Sequence, residues 1–235
     1  MSAPFRFKEF TVHQDRCAMK VGTDGVLLGA WAPVENAERL LDIGAGTGLV
    51  ALMLAQRSEA EVIDAIEIEE EAFEQCVENF ERSPWGDRLF CFHGDIQELA
   101  EEADAPYDLI TCNPPFFETV PGEVDARARA RQQHSLDYET LIACAEALMS
   151  EQGTLALIAP YADQESLIYC AATFCLFPQR ITEVWGHPKS GPKRVLIAFQ
   201  RHPSEAQIDR LIIEQDRHQY TEAYQALTRD FYLKM

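Results

Sequence analysis

The chain is short of positive charge, of long apolar runs and of paired cysteines, and each shortage removes a class of function. Twenty Lys and Arg stand against 39 Asp and Glu, a net charge of -19. That balance argues against a protein that coats nucleic acid nonspecifically. No apolar run approaches the roughly 20 residues of a membrane span, and Met1-Ser2-Ala3-Pro4-Phe5-Arg6 lacks an apolar signal core. A cytoplasmic protein without membrane contact is expected. The seven cysteines are odd in number and form no Cys-x-x-Cys pair, which suits reduced, largely buried thiols better than a disulfide framework. The six histidines show no metal-ligand spacing and no Ser/His/Asp or Cys/His arrangement is suggested, so no metal is expected. Repeats, low-complexity tracts and linkers are also absent.

What is present is enough apolar material, 47% of 235 residues, for a full core. One domain over residues 1–235 is expected, with a cap region at 1–36, a core sheet over 37–201 and a helical tail at 202–235. The charge is uneven. Residues 58–81 hold ten acids and no Lys or Arg, whereas 180–201 hold five bases against Glu183 alone, and 126–136 hold three arginines and no acid. One face is therefore expected to be basic, and the acidic helix over 69–81 to be a solvated back face.

In the first 36 residues, Lys20 to Gly29 reads as a Gly-punctuated turn into a short helix, with Thr23 or Asp24 as its cap. Arg39 to Ile43 is a short apolar strand, ended by Gly44-Ala45-Gly46-Thr47-Gly48, and residues 49–57 follow with helical spacing. The alternation continues through a strand over 61–68, with Glu67 near its end, and a helix over 69–81 with Phe73, Cys76, Val77 and Phe80 inward. A strand over 88–93 follows, then another over 107–112. After a long polar loop at 117–135 come a helix (136–150), a strand (153–159), a helix (163–175) and two late strands (181–185, 195–201). Strands alternating with helices imply a doubly wound α/β fold whose seven-stranded, mostly parallel sheet has an antiparallel last strand.

Two constellations carry chemistry. In Leu41-Asp42-Ile43-Gly44-Ala45-Gly46-Thr47-Gly48, the glycines permit a tight turn and close approach of a ligand. The helix that follows presents its amino terminus to an anionic group. The spacing differs from the dinucleotide fingerprint Gly-x-Gly-x-x-Gly, and Glu67 stands where an acid grips ribose hydroxyls. The second is Asn113-Pro114-Pro115-Phe116. Two prolines cannot continue the ladder, so the strand stops and leaves an amide, stiff carbonyls and an aromatic ring at a strand's carboxyl end, where open α/β sheets bind ligands.

These motifs, with Gly94-Asp95 between them, resemble in order and spacing the Rossmann-like class I methyltransferases that use S-adenosylmethionine. The resemblance implies that Gly44, Gly46 and Gly48 border the cofactor's methionine part. By the same resemblance Glu67 holds the ribose and Asp95 the adenine amino group, while Lys20, Thr23 and Asp24 form the amino-terminal cofactor motif with Asn113 beside it. Asp42 orients the glycine turn and the cofactor's ammonium. Asn-Pro-Pro-Phe resembles the signature of enzymes that methylate planar nitrogen: adenine N6, guanine N2 or a glutamine amide. Such an amine has its lone pair delocalised into the ring and is a poor nucleophile. Acceptors at the Asn113 side chain and the Pro114 carbonyl draw it toward tetrahedral geometry, and Phe116 stacks on the base.

Over nearly the whole chain the sequence resembles the bacterial family that makes N6-methyladenine beside the anticodon of valine tRNA. The residues that carry this are 20–31, 113–117, 194–197 and 227–233. Tyr often stands in that family where this chain has Phe116. The resemblance implies methyl transfer to a tRNA adenine with an anticodon loop as partner; no obligate protein partner is inferred. Arg127, Arg129, Arg131, Lys189, Lys193 and Arg194 are the expected RNA contacts. Same-fold alternatives are methylation of guanine N2 in ribosomal RNA or of a protein glutamine. A noncatalytic RNA-binding assembly factor is the alternative from another class.

Overall fold

The computed structural model describes residues 3–103, 105–114 and 136–234. Near the amino end β1 (Phe5–Arg6) and β2 (Thr11–Val12) pair antiparallel, and α1 (Thr23–Trp31) follows. The core then runs β3 (Arg39–Ile43), α2 (Leu49–Arg57), β4 (Val62–Glu67), α3 (Glu70–Glu81), β5 (Leu89–His93), α4 (Ile96–Glu102) and β6 (Tyr107–Cys112). After it come α5 (Tyr138–Leu148), β7 (Met149–Pro160), α6 (Gln164–Thr173), β8 (Phe177–Trp185) and β9 (Pro192–Gln200). The tail holds β10 (Gln207–Ile212), the short antiparallel pair β11 (Glu214–Asp216) and β12 (Gln219–Tyr220), and α7 (Glu222–Thr228).

The main sheet is ordered β10-β8-β9-β7-β6-β3-β4-β5. Its central strands are buried on both faces, which is why they read as continuous apolar runs. Leu40, Ile63, Ala65 and Leu109 turn toward α1, α2 and α3, while Leu41, Ile43, Ile66 and Ile110 turn toward α4, α5 and α6. From β3 the chain moves outward through β4 to β5, then returns to place β6 on the other side of β3. That reversal opens a crevice at the carboxyl ends of β3 and β6, the ends that carry Gly44 and Asn113.

The doubly wound, mostly parallel sheet matches the expectation, and β9 runs antiparallel to both β7 and β8. The strand count does not: β10 joins β8 in parallel as an eighth strand, drawn from a tail expected to be helical. Its residues Gln207 and Ile208 are exposed at the sheet's edge, so its pattern lacks the apolar run of a central strand. Helix α3 differs too. Phe73 and Val77 are only half-buried, and Gln75 and Asn79 take the inner face with Cys76 and Phe80. Gln75 Oε1 accepts the amides of Asp15 and Arg16, both at 3.2 Å. Asn79 Nδ2 donates to the carbonyls of His13 (2.9 Å) and Thr47 (2.8 Å) while its Oδ1 accepts the His13 amide. These buried amides are satisfied by binding the segment before α1 onto the glycine turn.

Candidate active site

The glycine turn is built by backbone geometry. Gly44, Gly46 and Gly48 all have positive φ (69°, 54° and 77°), a region costly for residues with a Cβ. The amides of Gly44 and Ala45 donate to the Ile66 carbonyl at 2.9 and 3.1 Å, hanging the turn from β4. A Cβ on Gly44 or Gly46 would meet nothing within 4 Å, so both face open space. Gly48 is different: a Cβ there would lie 2.6 Å from the Phe80 ring and 2.9 Å from Cys76 Sγ. It faces α3, and its lack of a side chain serves packing.

Glu67 ends β4 as anticipated and is buried. Its Oε2 accepts the Gly46 amide at 2.8 Å and its Oε1 the Glu69 amide at 2.9 Å, so the carboxylate shapes the turn it faces. Asp42 on β3 is buried beside β6, where Thr111 Oγ1 donates to its Oδ1 at 2.9 Å. Its Oδ2 has no hydrogen-bond partner. Burial pushes the Asp42 carboxyl up to about 7, with the Thr111 hydroxyl opposing the rise.

Asn113 follows β6 directly, and Pro114 beside it is buried. The Asn113 Oδ1 is a buried acceptor without a partner, and a Cβ on Gly25 of α1 would come 3.9 Å from its Nδ2. Thus the first turn of α1 and the end of β6 adjoin. Thr23 opens α1 and Asp24 lies in its first turn, yet neither caps it, since Gly22 is the N-cap without a side-chain bond. Asp24 instead accepts from Arg194 Nε of β9 at 2.8 Å, joining a residue expected at the cofactor to one expected at RNA. Lys20 is exposed. Asp95 is the N-cap of α4, its Oδ1 accepting the Gln97 amide at 2.9 Å. Lys189 and Lys193 are exposed around the turn between β8 and β9. Pro115, Phe116, Arg127, Arg129 and Arg131 lie outside the described residues.

Residues 19–163 match the family model of the methyltransferase small domain. A tRNA1(Val) (adenine(37)-N6)-methyltransferase of Flavobacterium johnsoniae is 55% identical over 98% of this chain and its own full length. One of Bacteroides fragilis is 45% identical over the full length of both. The chain belongs to the methyltransferase small-domain family. Among solved structures, a predicted O-methyltransferase, Atu636 of Agrobacterium tumefaciens, superposes with a TM-score of 0.68 at 22% identity, covering 88% of this chain and 96% of its own. A putative RNA methyltransferase of Pyrococcus horikoshii reaches 0.52 at 16% identity, over 71% and 75%. At those identities the likeness speaks for the fold.

The cofactor that this membership implies is S-adenosylmethionine, and the residues present fit it. Open space lies over Gly44 and Gly46, and on β3, beside them, the buried Asp42 Oδ2 lacks a partner. Buried acceptors are left unpaired at a cost unless a ligand supplies donors. No helix among the described residues is long and apolar enough to cross a membrane, and the seven cysteines are free.

Proposed function

We propose that this protein methylates the exocyclic N6 of adenine 37, next to the anticodon of tRNA1(Val), in the cytoplasm. The chemistry is carried by one observation: an asparagine at the switch point with a buried, unpartnered Oδ1. The choice of substrate is supported by relatives at 45% to 55% identity over nearly the whole chain that are named for that reaction. S-adenosylmethionine, when bound, supplies an electrophilic methyl group.

The protein's part is to present the amine. Asn113 Oδ1 and the Pro114 carbonyl each accept one N–H, so the nitrogen lone pair turns toward the methyl carbon. Positive charge developing on the nitrogen would strengthen its N–H donors, so Asn113 Oδ1 and the Pro114 carbonyl would bind the transition state better than the ground state. The extra proton then leaves to water, and no general base is needed beforehand. Phe116 is assigned to stack on the base. Glu67 is assigned to the ribose, Asp95 to the adenine amino group of the cofactor, and Asp42 with Gly44 and Gly46 to its methionine end. Gly48 supports the turn from behind, while Thr23 and Asp24 of α1, with Lys20 just before it, are assigned to close the site. Lys189, Lys193 and Arg194, with Arg127, Arg129 and Arg131, are assigned to phosphates of the anticodon loop.

The test is to incubate the protein with labelled cofactor and, separately, total tRNA, ribosomal RNA and protein, and to digest each to nucleosides or amino acids. Label in N6-methyladenosine from tRNA is expected. Label in N2-methylguanosine from ribosomal RNA or in methylglutamine would replace this reading with one of its same-fold rivals. No transfer to any of the three would favour a binding role without catalysis.

A further inference from the structure

Beside the first turn of α1 lies a cavity of about 410 Å³ whose lining includes neither the glycine turn nor Asn113. Its walls come from Thr23, from Glu214 and Tyr220 of the β11–β12 pair, from Tyr224 of α7, and from Tyr232 and Lys234 of the tail. It is a half-open depression in the surface, not an enclosed chamber. Four aromatic residues, Phe5, Tyr220, Tyr224 and Tyr232, stand among its walls. Tyr224 is buried, with its ring centroid 5.3 Å from that of Tyr220, and Phe5 meets the Tyr232 ring edge-on at 6.2 Å. Burial, and then the neighbouring Tyr232, push the Tyr224 phenol up, so it stays neutral.

Tyr220 differs from the other rings in being 41% exposed, so part of it is open to a partner. The charges complement a nucleotide. Lys234 lines the cavity, so a positive charge stands there beside Glu214, the one lining carboxylate among the described residues. Aromatic faces stack on any base, a carboxylate accepts from an exocyclic amino group, and ammonium groups meet phosphates. The cavity is also close to the chemistry. Thr23 shares the first turn of α1 with Gly25, whose Cβ position is 3.9 Å from Asn113 Nδ2. An RNA strand with one nucleotide at Asn113 therefore has its neighbours within reach of this cavity.

We propose that the cavity binds a base adjacent to the reacting adenine, held out of its stack, with Tyr220 as the stacking face and Glu214 as the acceptor for the base's amino edge. This rests on the reading of tRNA as substrate. The test measures steady-state methylation of an anticodon stem-loop RNA by Tyr220→Ala and Tyr220→Phe. Matching stem-loops lack the base on one or the other side of the target adenine. Tyr220→Ala is expected to raise KM for the RNA about ten-fold, Tyr220→Phe to stay near wild type, and cofactor affinity to be unchanged in both. Removing the bound neighbour is expected to raise the wild-type KM by a similar factor and to add little to Tyr220→Ala, because both changes delete one contact. An unchanged KM in Tyr220→Ala, or losses that simply add, would overturn the proposal while leaving tRNA methylation standing. A wild-type protein that methylates no RNA would overturn both.

Discussion

Replacing Glu67 with glutamine asks one buried carboxylate to reveal both of its roles. Its two oxygens accept the amides of Gly46 (2.8 Å) and Glu69 (2.9 Å), and the residue is 7% exposed. Glutamine keeps the shape but has one acceptor oxygen, so its NH2 must face one of those N–H donors. The loss is one charge-assisted bond plus one unpaired buried amide, about 1.5–3 kcal/mol. For a chain of this size that corresponds to a Tm lower by roughly 3–12 °C, read by thermal melting without cofactor. Ribose hydroxyls would also lose a charged acceptor, so calorimetry should show cofactor binding weaker by about ten-fold, or 1.4 kcal/mol. A wild-type Tm would refute the account of how the glycine turn is held. A lowered Tm with unchanged affinity would keep the clamp and remove the ribose assignment.

Gly48→Ala places a Cβ against Phe80 and Cys76 at positive φ and should cost about 2–5 kcal/mol in denaturant unfolding. Gly44→Ala meets no atom within 4 Å and should cost only the backbone strain of about 1–2 kcal/mol. The folded Asp42 carboxyl is pushed up to about 7, above its unfolded value near 3.9, so the native state binds the extra proton between those values. Its contribution to stability therefore falls as pH rises from about 4 to about 7. The Tm difference between wild type and Asp42→Asn should drift across that window, and a constant difference would contradict it. Removing two RNA-facing charges in Lys189→Ala/Lys193→Ala should weaken tRNA binding and flatten the slope of log K against log salt by about 1.4.

Local order was legible where one stretch of sequence decides its own structure. β3 ends at Ile43, the glycines turn, and β4 ends on Glu67 because apolar runs, positive φ and a terminal acid are all local signals. What distant residues decide was not legible. Gly48 reads as a ligand-facing glycine until Phe80 and Cys76 of α3 are seen against it. Gln75 and Asn79 read as solvent-facing polar residues, yet they are buried because residues 13–16 supply their partners. Asp24 and Arg194 meet although 170 residues separate them. The eighth strand, β10, has the mixed polarity of an exposed edge, which periodicity does not separate from a helix. Helix α4 has a single buried residue, Ile96, too little apolar signal to announce itself.

The central claim is that Asn113 at the end of β6 presents the amine without holding the cofactor's affinity. Its most direct test is single-turnover methylation of tRNA1(Val) by wild type and Asn113→Ala, with cofactor affinity measured on the same preparations. Transfer slower by about 100-fold or more, with cofactor affinity close to wild type, is the expected result. Full single-turnover transfer by Asn113→Ala would contradict it.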